Sequence, residues 1–171
     1  TASVPAVEQR GTALERGETM GGARWFPEVR LNVAERILAG DCGDHDTPGA
    51  DAVMFVSLDE VGRRAEVTRG EALERVGAVA AAMRASGVGT GDRVAAWMPN
   101  TVDTAIVMLA AASIGAVFSS CSPDFGASGV LDRFGQIEPV VLVATDGYTY
   151  GGKELDRTAE LAEIAAMGFK N

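Results

Sequence analysis

The chain has 171 residues, 47% of them hydrophobic and 23% charged, which suits one globular domain with a real core. Its formal net charge of −9 excludes nonspecific nucleic-acid binding, which needs a basic surface, but leaves room for a small phosphate-bearing ligand at a local positive spot. Cys42 and Cys121 form no spaced pair, there is a single histidine, and no apolar run reaches the ~20 residues that span a bilayer, so a reduced, cytoplasmic chain with no membrane partner is expected.

Residues 1–24 are polar and show no sustained period, which reads as a loose arm. Trp25, Phe26 and Pro27 then supply an apolar anchor for packing. Leu31, Ala34, Ile37 and Leu38 share one helical face, and Gly40 is placed to end that helix. Residues 41–46 collect Asp, Cys and His, but Gly43, Pro48 and Gly49 mark a loop and no second ligand cluster exists, so a solvated loop is expected there and no metal site.

Residues 52–57 and 64–68 read as two strands of a hairpin turning at 59–62. Thr68 and Glu71 have the spacing of a capping box, and the helix they open runs to about Ala85, with Leu73, Val76, Val79, Ala80 and Met83 as its buried stripe. The glycines at 87, 89 and 91 follow a helix and open a strand. A phosphate-cradling loop has the opposite order, so these glycines are turn chemistry.

A strand over 93–98 leads into Pro99, Asn100 and Thr101, and then into a nearly all-apolar helix over 104–116. Residues 117–121 form the next strand, 126–136 a helix facing inward through Val130, Leu131 and Phe134, and 140–144 a buried strand. A last helix is expected from about 153 to 167. The fold class is thus α/β: a mainly parallel sheet flanked by helices, with an N-terminal β-hairpin. The division expected is an arm with one helix over 1–47 and an α/β unit over 48–171.

In parallel sheets ligands collect beyond the carboxyl ends of strands. That rule selects residues 99–101, 119–125 and 145–153. In the last of these, Gly151, Gly152 and Lys153 are expected to open a helix, so that free N–H groups and the Lys153 ammonium make an anion site, or else only a turn. Ser119, Ser120 and Ser122 are either ligand-facing hydroxyls or small residues for close packing, and composition alone favours packing. Asp124 is either a site carboxylate or the N-cap of the next helix, with capping favoured. Ser–His–Asp catalysis finds no support, because His45 sits in the 41–46 loop and no Gly-x-Ser-x-Gly elbow occurs.

Several motifs in order carry a resemblance. They are Trp25-Phe26-Pro27, Gly91-Asp92-Arg93-Val94-Ala95 with Pro99-Asn100, then SSCSPDFG from Ser119 to Gly126, RFGQIEP from Arg133 to Pro139, and DGYTYGGK from Asp146 to Lys153. From about residue 22 to the end, the chain resembles the acetoacetyl-CoA synthetases, a branch of the adenylate-forming acyl-CoA synthetases. SSCSPDFG followed by RFGQIEP favours that branch over the related acetyl-CoA synthetases.

The resemblance implies ligation of acetoacetate to coenzyme A (CoA) through an acyl-adenylate, with ATP, CoA and Mg²⁺ as small-molecule partners. It places residues 48–171 as an incomplete subdomain of the large N-terminal domain of such an enzyme. The family's phosphate loop, adenine-binding segments, hinge aspartate and catalytic lysine do not occur in these 171 residues. The chain, which begins at Thr1 and stops just after Gly168, therefore reads as an N-terminal portion. Alone it is expected to be inactive, to bind none of these ligands tightly, and to self-associate through surface the rest would cover. The alternative is a free-standing CoA- or nucleotide-binding module without catalysis. By way of the related acetyl-CoA synthetases, the resemblance also implies a CoA contact made by Ser119, Ser120, Tyr150, Gly151, Gly152 and Lys153, with Tyr150 and Lys153 standing in a motif where those relatives use arginines. No catalytic residue and no metal ligand is assigned.

Overall fold

A computed structural model describes residues 11–19, 21–40 and 49–167. The acidic segment at 41–46 lies outside them. The chain divides into two compact units, Thr1–Thr47 and Pro48–Asn171.

In the first unit β1 (Leu14–Glu15) pairs antiparallel with β2 (Arg24–Trp25), and an Arg24–Glu15 ion pair lies across the two. Helix α1 (Val33–Ala39) starts where the Asn32 side chain accepts from the N–H groups of Ala34 and Glu35. It stops at Gly40, whose φ of 68° is left-handed. Two expectations need correction. Trp25 and Phe26 are exposed rather than anchored, and the buried face of α1 narrows to Ala34 and Leu38, with Leu31 and Ile37 exposed.

The second unit opens with an antiparallel hairpin, β3 (Val53–Leu58) and β4 (Arg64–Thr68). Its turn is built by Asp59, whose carboxylate accepts from the N–H groups of Val61 and Arg63. Thr68 then caps α2 (Arg69–Ala85). Its hydroxyl accepts from Glu71 N–H while the Glu71 carboxylate accepts from Thr68 N–H, the reciprocal box the four-residue spacing predicts. Ala72, Val76, Ala80 and Met83 form the buried stripe, while Leu73 is exposed.

Strands β5 (Arg93–Trp97), β6 (Val117–Cys121) and β7 (Val141–Ala144) make a parallel sheet in the order β6-β5-β7. Helix α3 (Val102–Ser113) connects β5 to β6, and α4 (Ala127–Gly135) connects β6 to β7. The first crossover steps outward from β5. The second steps back across it. Both being right-handed, they put α3 and α4 on opposite faces of the sheet. Strand alternation sorts β5 accordingly: Ala95 and Trp97 pack with Val130 and Phe134 of α4 and Ile164 of α5 (Thr158–Met167), and Val94 and Ala96 face the other way. All four β5 side chains from Val94 to Trp97 are fully buried. The parallel, helix-flanked sheet agrees with the sequence reading.

The segment after β7 departs from expectation. Residues 153–156 are not helical. β8 (Gly147–Tyr150) and β9 (Lys153–Asp156) form an antiparallel hairpin, and α5 begins only at Thr158. The reason is the Gly-Gly pair. Gly151 and Gly152 both take left-handed backbone, at φ 60° and 71°. Two such residues in succession make the turn whose twist matches a two-residue hairpin. Asp156, not the glycines, serves the helix start, accepting from Thr158 N–H and Oγ.

Candidate functional site

Because α3 and α4 leave on opposite faces, the connections after the neighbouring strands β5 and β6 diverge. A crevice opens at such a switch point, outside the carboxyl ends of the strands. A cleft of about 360 Å³ lies there, with Pro99, Asn100 and Thr101 after β5 on one wall and Ser122, Pro123 and Asp124 after β6 on another. Tyr148, Thr149, Tyr150 and Gly152 of the β8–β9 hairpin close a third side. The fourth is the β3–β4 turn, from Ser57 to Val61 with Arg63. The three strand-end segments selected from the sequence thus converge, and the hairpin turn joins them without a sequence signal.

A polar chain runs along the cleft. Ser122 Oγ donates to Asp124 Oδ2 at 2.7 Å, and the Tyr148 hydroxyl donates to Asp124 Oδ1. Arg157 Nη2 donates in turn to the Tyr148 oxygen at 3.2 Å, while its Nη1 pairs with Glu160 at 2.8 Å. The Tyr148 bond, then the Ser122 bond, hold the Asp124 carboxyl below its ordinary range. Asp124 is therefore an ionised acceptor at neutral pH. It does not cap α4: the N-cap is Gly126 and no side chain bonds there. Its role as a cleft carboxylate corrects the favoured sequence reading. Ser122 Oγ also accepts from the Asp124 N–H at 3.3 Å, so the two side chains hold one another at the cleft.

At the β8–β9 turn the backbone N–H of Gly151 donates to Glu60 Oε1 and that of Gly152 to Glu60 Oε2, each at 3.0 Å. These two bonds lower the Glu60 pKa, Gly151 first. Lys153 follows at the start of β9, exposed. Tyr150, Gly151, Gly152 and Lys153 are thus brought together at one tip, and the expected donors exist, though they belong to a hairpin rather than a helix start. Ser119 and Ser120 are elsewhere. They pair in register with Ala95 and Ala96 inside β6, and Ser122, not they, reaches the cleft. Among the described residues no three His, Cys, Asp or Glu side chains gather as a metal would require, and no helix is long and apolar enough to cross a membrane.

The sequence profile of the AMP-binding enzymes matches residues 44–168. The chain belongs to the AMP-binding enzyme family. Within this family it is 48% identical over 153 residues to the acetoacetyl-coenzyme A synthetase of Rhizobium meliloti (strain 1021), an alignment covering 90% of this chain and 22% of that protein. It is 41% identical over 140 residues to the acetoacetyl-CoA synthetase of Rattus norvegicus, covering 82% of this chain and 20% of that one. A solved acetoacetyl-CoA synthetase from Streptomyces lividans superposes with a TM-score of 0.78 at 45% identity, over 90% of this chain and 23% of that chain. This member of the AMP-binding enzymes therefore spans about a fifth of the length of the curated relatives it matches. The resemblance read from the SSCSPDFG and DGYTYGGK motifs agrees with these findings.

Proposed function

We propose that this chain contributes one wall of the active site of a cytoplasmic acetoacetate–CoA ligase. In that reaction the acetoacetate carboxylate attacks the α-phosphate of ATP, pyrophosphate leaves, and the CoA thiol displaces AMP from the acyl-adenylate. The carrying observation is 48% identity to an acetoacetyl-coenzyme A synthetase over 90% of the chain.

No magnesium ligand is assigned among the described residues, and no step is routed through a metal here. Their proposed role is to hold CoA. The N–H groups of Gly151 and Gly152 and the ammonium of Lys153 supply donors and charge for its phosphates. Tyr150 borders the same cleft, and Ser122 rather than Ser119 or Ser120 supplies the β6-end hydroxyl there. Lysine in place of an arginine fork keeps the charge without bidentate geometry.

One experiment with two arms tests this. The 171-residue chain alone, given acetoacetate and ATP, is expected to release no pyrophosphate. In an enzyme joining this segment to the family's downstream motifs, Lys153→Ala is expected to raise the KM for CoA roughly tenfold, the effect of losing one charge-assisted phosphate contact, while the KM for acetoacetate stays unchanged. An unchanged KM for CoA rejects the Lys153 assignment.

A further inference from the structure

The donors of the Gly151–Gly152 turn are already in use. We propose that Glu60 is an internal stand-in for an anionic ligand: its carboxylate fills the seat made by the two N–H groups, and a phosphate oxyanion takes that seat only when the β3–β4 turn releases it. This rests on reading the β8–β9 tip as a phosphate contact, and adds an autoinhibitory residue that reading does not contain.

Three observations carry it. The grip is two-pronged, one N–H to each carboxylate oxygen at 3.0 Å, from residues 91 and 92 positions away in sequence. Two adjacent oxygens of a phosphate present the same acceptor pair. Next, the charged side chains lining the cleft are the carboxylates of Asp59, Glu60 and Asp124 against one guanidinium, Arg63. A second anion beside them is repelled while Glu60 keeps its seat. Finally, Glu60 is exposed at a hairpin tip whose following glycine, Gly62, has a left-handed φ of 80° and open space around it. The side chain can leave without disturbing the core around Trp97 and Phe134, which lies on the sheet.

The test follows the amide resonances of Gly151 and Gly152 in the ¹⁵N-labelled 171-residue chain. The native chain, Glu60→Gln and Glu60→Ala are each titrated with inorganic phosphate and with CoA. Both variants are expected to show midpoints at least about tenfold lower than the native chain, the change that follows from removing one like charge at contact distance. Trp97 indole and Thr68 amide signals report whether the fold is kept. Glu60→Gln, which preserves the side chain's size and one acceptor, serves if Glu60→Ala does not fold. Equal midpoints in native and variant chains overturn the proposal, and so does a folded variant whose Gly151 and Gly152 signals ignore both anions. Phosphate and CoA binding the variants equally would uphold Glu60 as the occupant and remove support for the CoA reading. Much tighter CoA binding in the variants supports both.

Discussion

Arg93 shows how much one residue fixes. Its Nε donates to the Ile137 carbonyl and its Nη2 to the Glu138 carbonyl, both at 2.7 Å. Glu138 stands before Pro139 in left-handed backbone, φ 46°, a conformation that costs roughly 1 kcal/mol or more outside glycine. The guanidinium fork holds that bend and so aims the chain from α4 into β7. Arg93→Ala is expected to lower stability by about 2 kcal/mol in urea unfolding, with Arg93→Lys recovering only part, since lysine cannot serve both carbonyls with a planar fork. A full recovery by lysine would reduce the role to charge alone. Legibility at this scale follows sequence distance. The Thr68–Glu71 box could be read because both partners sit within four residues. The bond from Tyr148 to Asp124 spans 24 positions, and nothing local to Asp124 distinguishes a cleft carboxylate from a cap.

Elements were legible where burial sets the pattern. Strand β7 takes up 141–144 of the apolar run read as a buried strand over 140–144, and α2 begins and ends where its cap and the Ser86–Gly87 turn dictate. The β8–β9 hairpin was not, because Tyr148, Thr149 and Tyr150 before Gly-Gly satisfy two rules at once: a ligand-approach loop, or strand residues entering a two-residue turn. Pairing with residues 153–156 decides it, and that pairing lies outside any local window.

The hairpin gives a graded test of its glycines. A side chain at Gly147 would meet the Leu155 carbonyl oxygen at 2.8 Å, backbone that cannot step aside. At Gly152 there is open space, so alanine there costs only the left-handed φ, roughly 1–2 kcal/mol. Gly147→Ala is therefore expected to depress the thermal midpoint more than Gly152→Ala. The reverse order would contradict the close strand approach at Gly147.

At the scale of the molecule, topology made the cleft predictable and long-range contact made it incomplete. The strand-end rule needs only the alternation of strands and helices, which composition and period reveal, so three of the four walls were named from sequence. The fourth, the β3–β4 turn, joins through Glu60 reaching residues more than 90 positions away. No pattern near Glu60 encodes that. The same contacts set the acid behaviour of the chain. Glu60, Glu71, Asp124 and Asp156 all have lowered pKa values, caused first by the Gly151 N–H, the Thr68 N–H, the Tyr148 hydroxyl and the Thr158 N–H respectively. A carboxyl whose folded pKa lies below its unfolded value of about 4 binds fewer protons folded than unfolded between those two values. Its contribution is complete above the unfolded value and disappears as pH falls through the depressed one. Urea midpoints are thus expected to stay level from about pH 7 to 5 and to fall below about pH 4. Self-repulsion also changes over this range, easing as the net charge of −9 is titrated toward the isoelectric point of about 4.6 and growing again below it as the chain turns positive, so a control is needed. The combined variant Glu60→Gln, Glu71→Gln, Asp124→Asn and Asp156→Asn separates the two. It is expected to start lower at pH 7 and to lose less between pH 5 and pH 2, because four of the groups that would take up protons are gone, Asp59 with its lowered pKa remaining. If native and variant chains fall with the same slope, these four contacts do not govern acid unfolding.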